Sequence, residues 1–338
     1  MIFSRRAVLV FFFLISAALA AAATRAKSAP ATPDAATAYK GAIVLDATSG
    51  KVLFEDRADY SGPPASMTKL MTFAVLHDEI RAGRLHLATP VTVTAADSKI
   101  GGTQVWLKEK EVFPVEELLY AMMIQSANDA AFALARAAGG SVAAFVESMN
   151  AKAQQLGMTH TTFRTPHGLP PSTRQLADGD LTTPRDFALL CRHLLLKTDV
   201  LKYTAVKARD FGAPVRSEVV KMTNHDHLLG RLDGVDGLKT GYTKGAGFCL
   251  STTALRKGQR VIVVTMGGPD SKTRDLKVVE LVERGFKLLP AGGPAFASLL
   301  ETPPISAAPS PSPAVKPAAP ADDAPLLKVN LPPARKTK

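Results

Sequence analysis

The sequence is poor in several features on which common protein classes depend. Its 338 residues include two cysteines and one tryptophan, and aromatic residues make up 6% of the chain. After the apolar run near the amino terminus, no stretch is long and apolar enough to span a bilayer, which excludes a polytopic membrane protein. The histidines are scattered, and the pair His225 and His227 is too sparse to hold a metal ion. We therefore expect no metal centre.

Acidic residues are also in the minority. Lysine and arginine number 41 against 30 aspartate and glutamate residues, which gives a formal net charge of +11. A basic balance often indicates a polyanionic partner, but no basic stripe is interleaved with aromatic residues, so nucleic acid is not an expected partner. The hydrophobic fraction of 46% and the charged fraction of 21% are typical of a globular protein. We interpret the charge mainly as a source of solubility and weak non-specific attraction.

The amino terminus has the form of a secretory signal. Arg5 and Arg6 precede the apolar run Ala7–Leu19, and small residues follow at a candidate cleavage site. We predict a signal peptide over residues 1–23 and a flexible leader over residues 24–38, with the mature protein soluble in the periplasm or cell envelope. Because no ATP is supplied there, the prediction favours hydrolysis or transfer reactions that need no nucleotide.

Export also bears on the two cysteines. Cys191 and Cys249 could form a disulfide in an oxidising compartment. Two buried thiols are the simpler interpretation, because cysteine often behaves as a small apolar residue. The sequence by itself leaves the pairing open.

The order of the predicted elements indicates an α+β fold. A β-hairpin is predicted over residues 42–54, helices between residues 66 and 197, and antiparallel strands between residues 238 and 266. A final helix is predicted over Ser271–Leu288. An antiparallel sheet flanked by helices, with a helical subdomain, accommodates this order. We expect the sheet to include the hairpin, whose exposed edge needs a partner.

The segment from Ser66 to Lys69 places a hydroxyl and an amine one helical turn apart, on the same face of a predicted helix. A serine hydroxyl is a weak nucleophile and needs a neighbouring base. A lysine amine can act as that base when burial and nearby cations lower its pKa. By itself the spacing is common, and a helix-capping serine with a surface lysine explains it equally well.

A second serine lies just before an alanine-rich segment that is predicted to be helical. Ser126 could relay a proton to a departing amine, and Asn128 could orient a substrate carbonyl. Taken alone, the two residues are better explained as caps of the following helix.

The tripeptide Lys239-Thr240-Gly241 lies in a predicted strand. A cation and a hydroxyl at a strand edge can hold a carboxylate, and a glycine lets a substrate backbone approach closely. The alternative is an ordinary strand end with a solvated lysine.

The three motifs in this order are far less common than any one of them, and they occur together in β-lactamases and penicillin-binding proteins. The chain resembles the low-molecular-mass penicillin-binding proteins, the D-alanyl-D-alanine carboxypeptidase family. The resemblance runs from about Tyr39 to Phe286. It includes the blocks Pro64–Thr72, Gln125–Ala131, Pro166–Leu169 and Gly234–Thr243. In the second block this chain has Ala127 where the family often has glycine.

This resemblance implies a β-lactamase/transpeptidase-like fold and a serine acyl-enzyme mechanism that needs no metal or organic cofactor. Ser66 would be the nucleophile and Lys69 its base, and Ser126 would pass a proton to the departing D-alanine. The backbone N–H groups of Ser66 and Tyr242 would form the oxyanion hole.

The resemblance also implies how substrate binds. Asn128 would orient the donor peptide, and Lys239 and Thr240 would hold the terminal carboxylate beside Gly241. The substrates would be peptidoglycan stem pentapeptides, from which the terminal D-alanine is removed. β-Lactam antibiotics would acylate the same serine as covalent inhibitors.

The carboxy-terminal part departs from the family pattern. Many members carry a second, β-rich domain and an amphipathic membrane helix. Here residues 289–338 are rich in Pro, Ala and Ser and end in a basic stretch, so we predict a disordered tail after a single catalytic domain over residues 39–288. We expect no second folded domain and no membrane anchor, and the basic end allows weak association with an anionic wall or membrane surface.

Three other functions are alternatives for the same residues. A DD-endopeptidase would cut cross-links with the same residues. A β-lactamase would need a carboxylate that activates the deacylating water, and Glu147 does not fit that place because it lies in a predicted helix. A non-catalytic wall-binding protein would not require a nucleophile with its base.

His167 has no obvious acidic partner and is interpreted as structural.

Overall fold

The computed structural model describes residues 38–213 and 215–300. The predicted signal peptide, nearly all of the predicted leader and the tail beyond residue 300 lie outside the described residues. Every candidate site residue named above lies within them.

The main strands and helices of the described residues follow the predicted order, and four short strands that were not predicted lie between them. The strands are β1 (Gly41–Asp46), β2 (Val52–Asp56), β3 (Pro90–Thr92), β4 (Val112–Pro114), β5 (Ala208–Phe211), β6 (Val220–Thr223), β7 (Val235–Thr243), β8 (Gly247–Arg256) and β9 (Gln259–Gly268). The α-helices are α1 (Lys69–Arg81), α2 (Val115–Tyr120), α3 (Asn128–Gly139), α4 (Val142–Gln155), α5 (Pro184–Lys197), α6 (Leu201–Thr204) and α7 (Ser271–Leu288).

A five-stranded antiparallel sheet forms the centre of the fold, in the strand order β2-β1-β9-β8-β7. The amino-terminal hairpin joins this sheet, as predicted, because β1 pairs with β9 along its whole length, from Gly41 opposite Met266 to Asp46 opposite Val261. The strand β7 is left at the edge. The lysine-threonine-glycine tripeptide therefore lies on a strand with one free side.

Apolar side chains cover both faces of the sheet, because successive residues of a strand point to opposite faces. Ile43 and Leu45 belong to the larger core, together with Phe187 of α5. Ala42 and Val44 belong to a second core beneath α7, where they meet Leu281. The predicted sheet flanked by helices is confirmed.

Helix α1 lies at the centre of the helical region, against α3, α4 and α5. Its residues Lys69–His77 are all buried. The predicted helix was expected to start at residue 66, but residues Ala65–Thr68 form a tighter 3₁₀ turn before α1 begins. Within the described residues, no single helix is long and apolar enough to cross a membrane, although α3 and α4 pass the same length and composition test as a bent pair.

The folded part extends further than predicted. The disordered tail was expected to begin at residue 289, but the structure describes the chain to residue 300. Phe296 is 4% exposed, and its N–H donates a hydrogen bond of 2.8 Å to the Gly258 carbonyl. The guanidinium of Arg260 lies 5.1 Å from the centroid of the Phe296 ring. One aromatic side chain thus fixes residues that composition alone assigns to the tail.

The two cysteines are buried thiols with no disulfide between them. Burial raises the pKa of Cys191 to about 12 and that of Cys249 to about 11. Thiols with such pKa values are protonated at neutral pH and therefore poor nucleophiles. The structure agrees with the simpler interpretation of the two positions.

Candidate active site

Ser66 and Lys69 form the centre of the candidate active site. Lys69 Nζ lies 3.0 Å from Ser66 Oγ, and it donates hydrogen bonds of 2.6 Å to Asn128 Oδ1 and 2.8 Å to the His167 carbonyl. The Lys69 side chain is fully buried. The alternative of a surface lysine beside a capping serine is excluded, because no side chain caps this turn and the lysine is inside the protein.

The environment of Lys69 favours its neutral amine. Burial lowers the pKa of Lys69 well below the ordinary lysine value, and the nearby charge of Lys239 lowers it further. The carboxylates of Asp180 and Asp129 act in the opposite direction but do not compensate. A neutral amine at hydrogen-bond distance from a serine hydroxyl can accept its proton.

Two glycines allow the chain to close around the nucleophile. A Cβ on Gly168 would lie 1.9 Å from the Ala65 carbonyl oxygen, and Gly168 has φ of +83°. A Cβ on Gly241 would lie 2.4 Å from the Pro64 carbonyl oxygen and 3.2 Å from the backbone nitrogen of Ser66. The loop at residue 168 and the edge strand β7 therefore contact the serine turn from two sides.

Asp180 ties the same loop to the serine turn. Its Oδ2 accepts hydrogen bonds from Thr68 Oγ1 at 2.8 Å and from Thr165 Oγ1 at 3.0 Å. Its Oδ1 accepts from the backbone N–H groups of Arg164 at 2.7 Å and Thr165 at 2.9 Å. The carbonyl of His167, which accepts a hydrogen bond from Lys69, lies in this loop. Asp180 thus fixes both the turn that holds Ser66 and the loop that holds Lys69.

Ser126 and Asn128 reach the site from the junction before α3. Ser126 has the left-handed backbone conformation, with φ of +64°, at the end of a π-helical turn. It is buried and lines the same cleft as Ser66. Asn128 uses its Oδ1 for Lys69 and donates from Nδ2 to the Gly101 carbonyl at 2.9 Å. Neither residue is the helix cap that their sequence position first indicated, since α3 has no side-chain cap.

The lysine-threonine-glycine tripeptide forms the opposite wall. Lys239 is buried, and its ammonium donates to the Thr240 carbonyl at 3.3 Å. Burial lowers the pKa of Lys239 to about 7, and the charge of Asp226 opposes that shift while Arg274 reinforces it. Thr240 and Tyr242 line the cleft. The structure therefore brings all of the predicted site residues to one place.

The cleft between these elements has a volume of about 340 Å³. Six of its lining residues were not predicted as site residues from the sequence, namely Thr103, His225, His227, Phe248, Ser271 and Arg274. Arg274 lies in the first turn of α7, is 4% exposed, and pairs with Asp275 at 2.6 Å. An arginine at the start of a helix gives no functional signal in sequence. Only the packing of α7 on the sheet brings its guanidinium to the cleft.

His167 is structural, as predicted. Its ring stacks on Phe132 at 6.3 Å between centroids. Burial, reinforced by the charge of Lys69, lowers the pKa of His167 to about 3. The imidazole is therefore neutral at physiological pH. Its backbone carbonyl, rather than its ring, takes part in the site.

We expect the rate of acylation by a penicillin to fall as the pH drops through the lowered pKa of Lys69, because protonated Lys69 cannot accept a proton from Ser66. The variant Asp180→Asn removes a charge that raises this pKa. It should therefore shift the acidic limb of the rate profile to lower pH. The measurement is the second-order acylation rate of both proteins as a function of pH.

Asp178→Asn is the matched control for this experiment. Asp178 lies in the same loop and bonds to Thr173 Oγ1 at 2.7 Å. It is not among the groups that shift the pKa of Lys69, so its variant should keep the wild-type profile. A shift of the acidic limb to higher pH in Asp180→Asn would contradict the assigned electrostatic effect.

Solved penicillin-binding proteins share this architecture. Penicillin-binding protein D2 from Listeria monocytogenes, in its ampicillin-bound form, superposes with a TM-score of 0.66 at 29% identity, covering 75% of this chain and 100% of the other. Penicillin-binding protein 5 from Haemophilus influenzae gives 0.67 at 30% identity, covering 76% of this chain and 73% of the other. The fold is the β-lactamase/transpeptidase-like fold that the sequence predicted.

Comparison with related sequences identifies the family within the penicillin-binding proteins. A family model described as D-alanyl-D-alanine carboxypeptidase matches residues 25–270. The D-alanyl-D-alanine carboxypeptidase DacF of Bacillus subtilis is 31% identical over 255 residues, which cover 75% of this chain and 64% of the relative. DacC of Escherichia coli is 35% identical over 252 residues, with coverage of 72% and 60%. The chain belongs to the D-alanyl-D-alanine carboxypeptidase family. It spans about three fifths of the length of these relatives.

Proposed function

We propose that this protein is a serine-type D-alanyl-D-alanine carboxypeptidase that removes the terminal D-alanine from peptidoglycan stem pentapeptides. The observation that carries the proposal is the buried Lys69 amine, which lies 3.0 Å from Ser66 Oγ at the cleft that Thr240 and Arg274 also line. With Lys69 as its base, Ser66 can form an ester with a peptide carbonyl. Thr240, Arg274 and Lys239 offer a hydroxyl and two cations to a terminal carboxylate.

In the first half of the reaction, Ser66 Oγ attacks the carbonyl of the penultimate D-alanine while Lys69 takes the hydroxyl proton. The backbone N–H groups of Ser66 and Tyr242 hold the resulting oxyanion. The tetrahedral intermediate then breaks its carbon–nitrogen bond. Ser126 relays the proton to the departing amine, and D-alanine leaves with its carboxylate.

In the second half, water attacks the Ser66 ester and releases the shortened peptide. A β-lactam enters by the same first step, because its ring carbonyl takes the place of the peptide carbonyl. No carboxylate lies among the described residues that line the cleft. Glu147 is exposed on α4 and faces solvent. We therefore propose slow release of the penicilloyl group, in contrast to a β-lactamase.

The proposed place of action is the cell envelope, where the substrate is found. Support comes from the sequence, in which Arg5, Arg6 and the apolar run Ala7–Leu19 have the form of a secretory signal. Weak association of the basic carboxy-terminal end with anionic wall or membrane surfaces belongs to the same proposal.

The function is tested by incubating the protein with a muramyl pentapeptide that ends in D-Ala-D-Ala. We expect release of D-alanine, measured with D-amino acid oxidase, and no tetrapeptide product, measured by mass spectrometry, from the same peptide ending in D-Ala-L-Ala. A cross-linked muropeptide dimer tests the endopeptidase alternative. Cleavage of the dimer without release from the pentapeptide would overturn the carboxypeptidase proposal in favour of that alternative.

A further inference from the structure

A second depression adjoins the active-site cleft at one end of the sheet, with a volume of about 430 Å³. It shares Tyr242 and Phe248 with the cleft. The two rings lie 4.2 Å apart between centroids and separate the two spaces. The remaining sides come from the start of β1, the turn between β7 and β8, and the end of β9. Because Lys40 and Lys244 line it, we call this depression the lysine groove.

Backbone forms much of the surface of the lysine groove. Gly245 belongs to the turn between β7 and β8, Gly247 is the first residue of β8, and Gly267 and Gly268 form the end of β9. A Cβ on Gly247 would lie 2.7 Å from the Gly268 carbonyl oxygen, so the two segments meet closely only because glycine is present. Where side chains are absent, another backbone can approach and form hydrogen bonds. The groove is therefore suited to an extended peptide.

The charge of the groove is positive. Lys40 and Lys244 are exposed, and neither forms an ion pair with a residue in the described part of the chain. The Lys40 ammonium lies 5.7 Å from the centroid of the Tyr60 ring. None of the described residues that line the groove is acidic. Two cations without acidic partners favour a ligand that brings its own negative charge.

The path of the substrate along β7 leads into this groove. In the proposed reaction, Thr240 holds the terminal carboxylate and the N–H of Tyr242 holds the oxyanion. The leaving D-alanine and the scissile carbonyl are thus aligned with β7 in that order. The acyl portion, which stays on Ser66, continues toward Lys244. Lys244 is the second residue after Tyr242, in the turn that follows the end of β7 at Thr243, and it lines the groove together with Tyr242.

We propose that the lysine groove binds the acyl portion of the substrate and selects peptides that carry carboxylates in the residues before the two terminal D-alanines. The inference rests on the proposed carboxypeptidase function and adds a specificity site to it. The lysines act through attraction of the substrate and not on the reacting atoms. Their contribution should therefore decrease as added salt screens the charges.

The test compares two pentapeptides of equal length that both end in D-Ala-D-Ala. One carries carboxylates on its second and third residues, and the other carries carboxamides at the same places. The enzymes are the wild type, the double variant Lys40→Gln with Lys244→Gln, and Lys51→Gln as the control. Lys51 is also exposed, but it follows the opposite end of β1 from Lys40.

We expect the double variant to lower kcat/KM for the carboxylate peptide by about three- to tenfold, as for two exposed ion pairs. The value for the carboxamide peptide should stay close to wild type, and Lys51→Gln should change neither. High salt should reduce the preference of the wild type for the carboxylate peptide.

Equal use of both peptides by the wild type, or an equal loss on both in the double variant, would overturn the inference while the carboxypeptidase function stands. If the wild type releases D-alanine from neither peptide, the proposed function fails and the inference falls with it. A third outcome would also overturn the inference. If the wild type uses both peptides equally, and an anionic polymer without peptide inhibits the wild type but not the double variant, the groove binds the polymer instead of the substrate.

Discussion

The variant Ser66→Ala is expected to form no covalent adduct with penicillin, whereas the wild type gains the mass of one penicillin. The alanine leaves the buried Lys69 amine without the hydroxyl to which it is hydrogen-bonded, and Ser126, which lines the same cleft, is not the hydroxyl that Lys69 contacts. Removing the nucleophile of an acyl-enzyme lowers its rate by at least about 10³-fold. Intact-protein mass spectrometry after incubation with penicillin measures the effect directly.

A matched control is Ser298→Ala, because Ser298 also lies in a short 3₁₀ helix (Phe296–Leu299) but is exposed and remote from the cleft residues. This control should form the adduct like the wild type. The free energy of unfolding of Ser298→Ala should stay within about 0.5 kcal/mol of wild type. That of Ser66→Ala should change by no more than about 1.5 kcal/mol, since the variant loses one hydrogen bond to Lys69. A stable adduct on folded Ser66→Ala would show that another residue is the nucleophile.

The second large effect is expected for Gly168→Ala. Its Cβ would lie 1.9 Å from the backbone oxygen of Ala65, and the backbone there has φ of +83°. The clash is with main chain, so it cannot be relieved by a rotamer change. We expect a loss of at least about 3 kcal/mol in the free energy of unfolding, measured by denaturant titration.

Gly168→Ala should also slow acylation by penicillin, because the clash displaces the turn that holds Ser66 and the loop whose His167 carbonyl contacts Lys69. Gly83→Ala is the control that separates the strain of the left-handed backbone from the steric clash of the added Cβ. Gly83 has a similar φ of +72° but no atom within 4 Å of the added Cβ. Its variant should lose only the cost of the left-handed backbone, about 1–2 kcal/mol, with normal acylation. Equal effects at both glycines would contradict the close contact at Ser66.

Much of the fold could be predicted because its signals are local and periodic. Helix α7 occupies Ser271–Leu288 as predicted, and the capping Asp270 that accepts from Thr273 N–H marks its start. Successive side chains of β8 and β9 point alternately into the two cores, as the two-residue period of side-chain direction in a strand predicts. The short ribbons of β3 with β4 and β5 with β6 were missed, since strands of three or four residues are too brief to show a period.

The sequence by itself identified the candidate nucleophile, its base and the candidate carboxylate-binding residues, but not Arg274, which also lines the cleft. One helical turn separates Ser66 from Lys69, and that spacing is a property of the local chain. The same holds for Lys239 and Thr240 on one strand. The order of the three motifs then indicated the family, because few other proteins combine them.

Only the tertiary structure decided what those groups can do. The pKa of Lys69 depends on burial and on the charge of Lys239, a residue distant in sequence, and Coulomb interactions act through space at a dielectric that packing determines. Likewise Arg274 reaches the cleft, and Lys40 joins Lys244 in one groove, because β1, β7 and α7 meet around a single sheet. Local spacing determines which side chains can meet within a turn, whereas burial, charge and the path of a substrate depend on segments that only folding brings together.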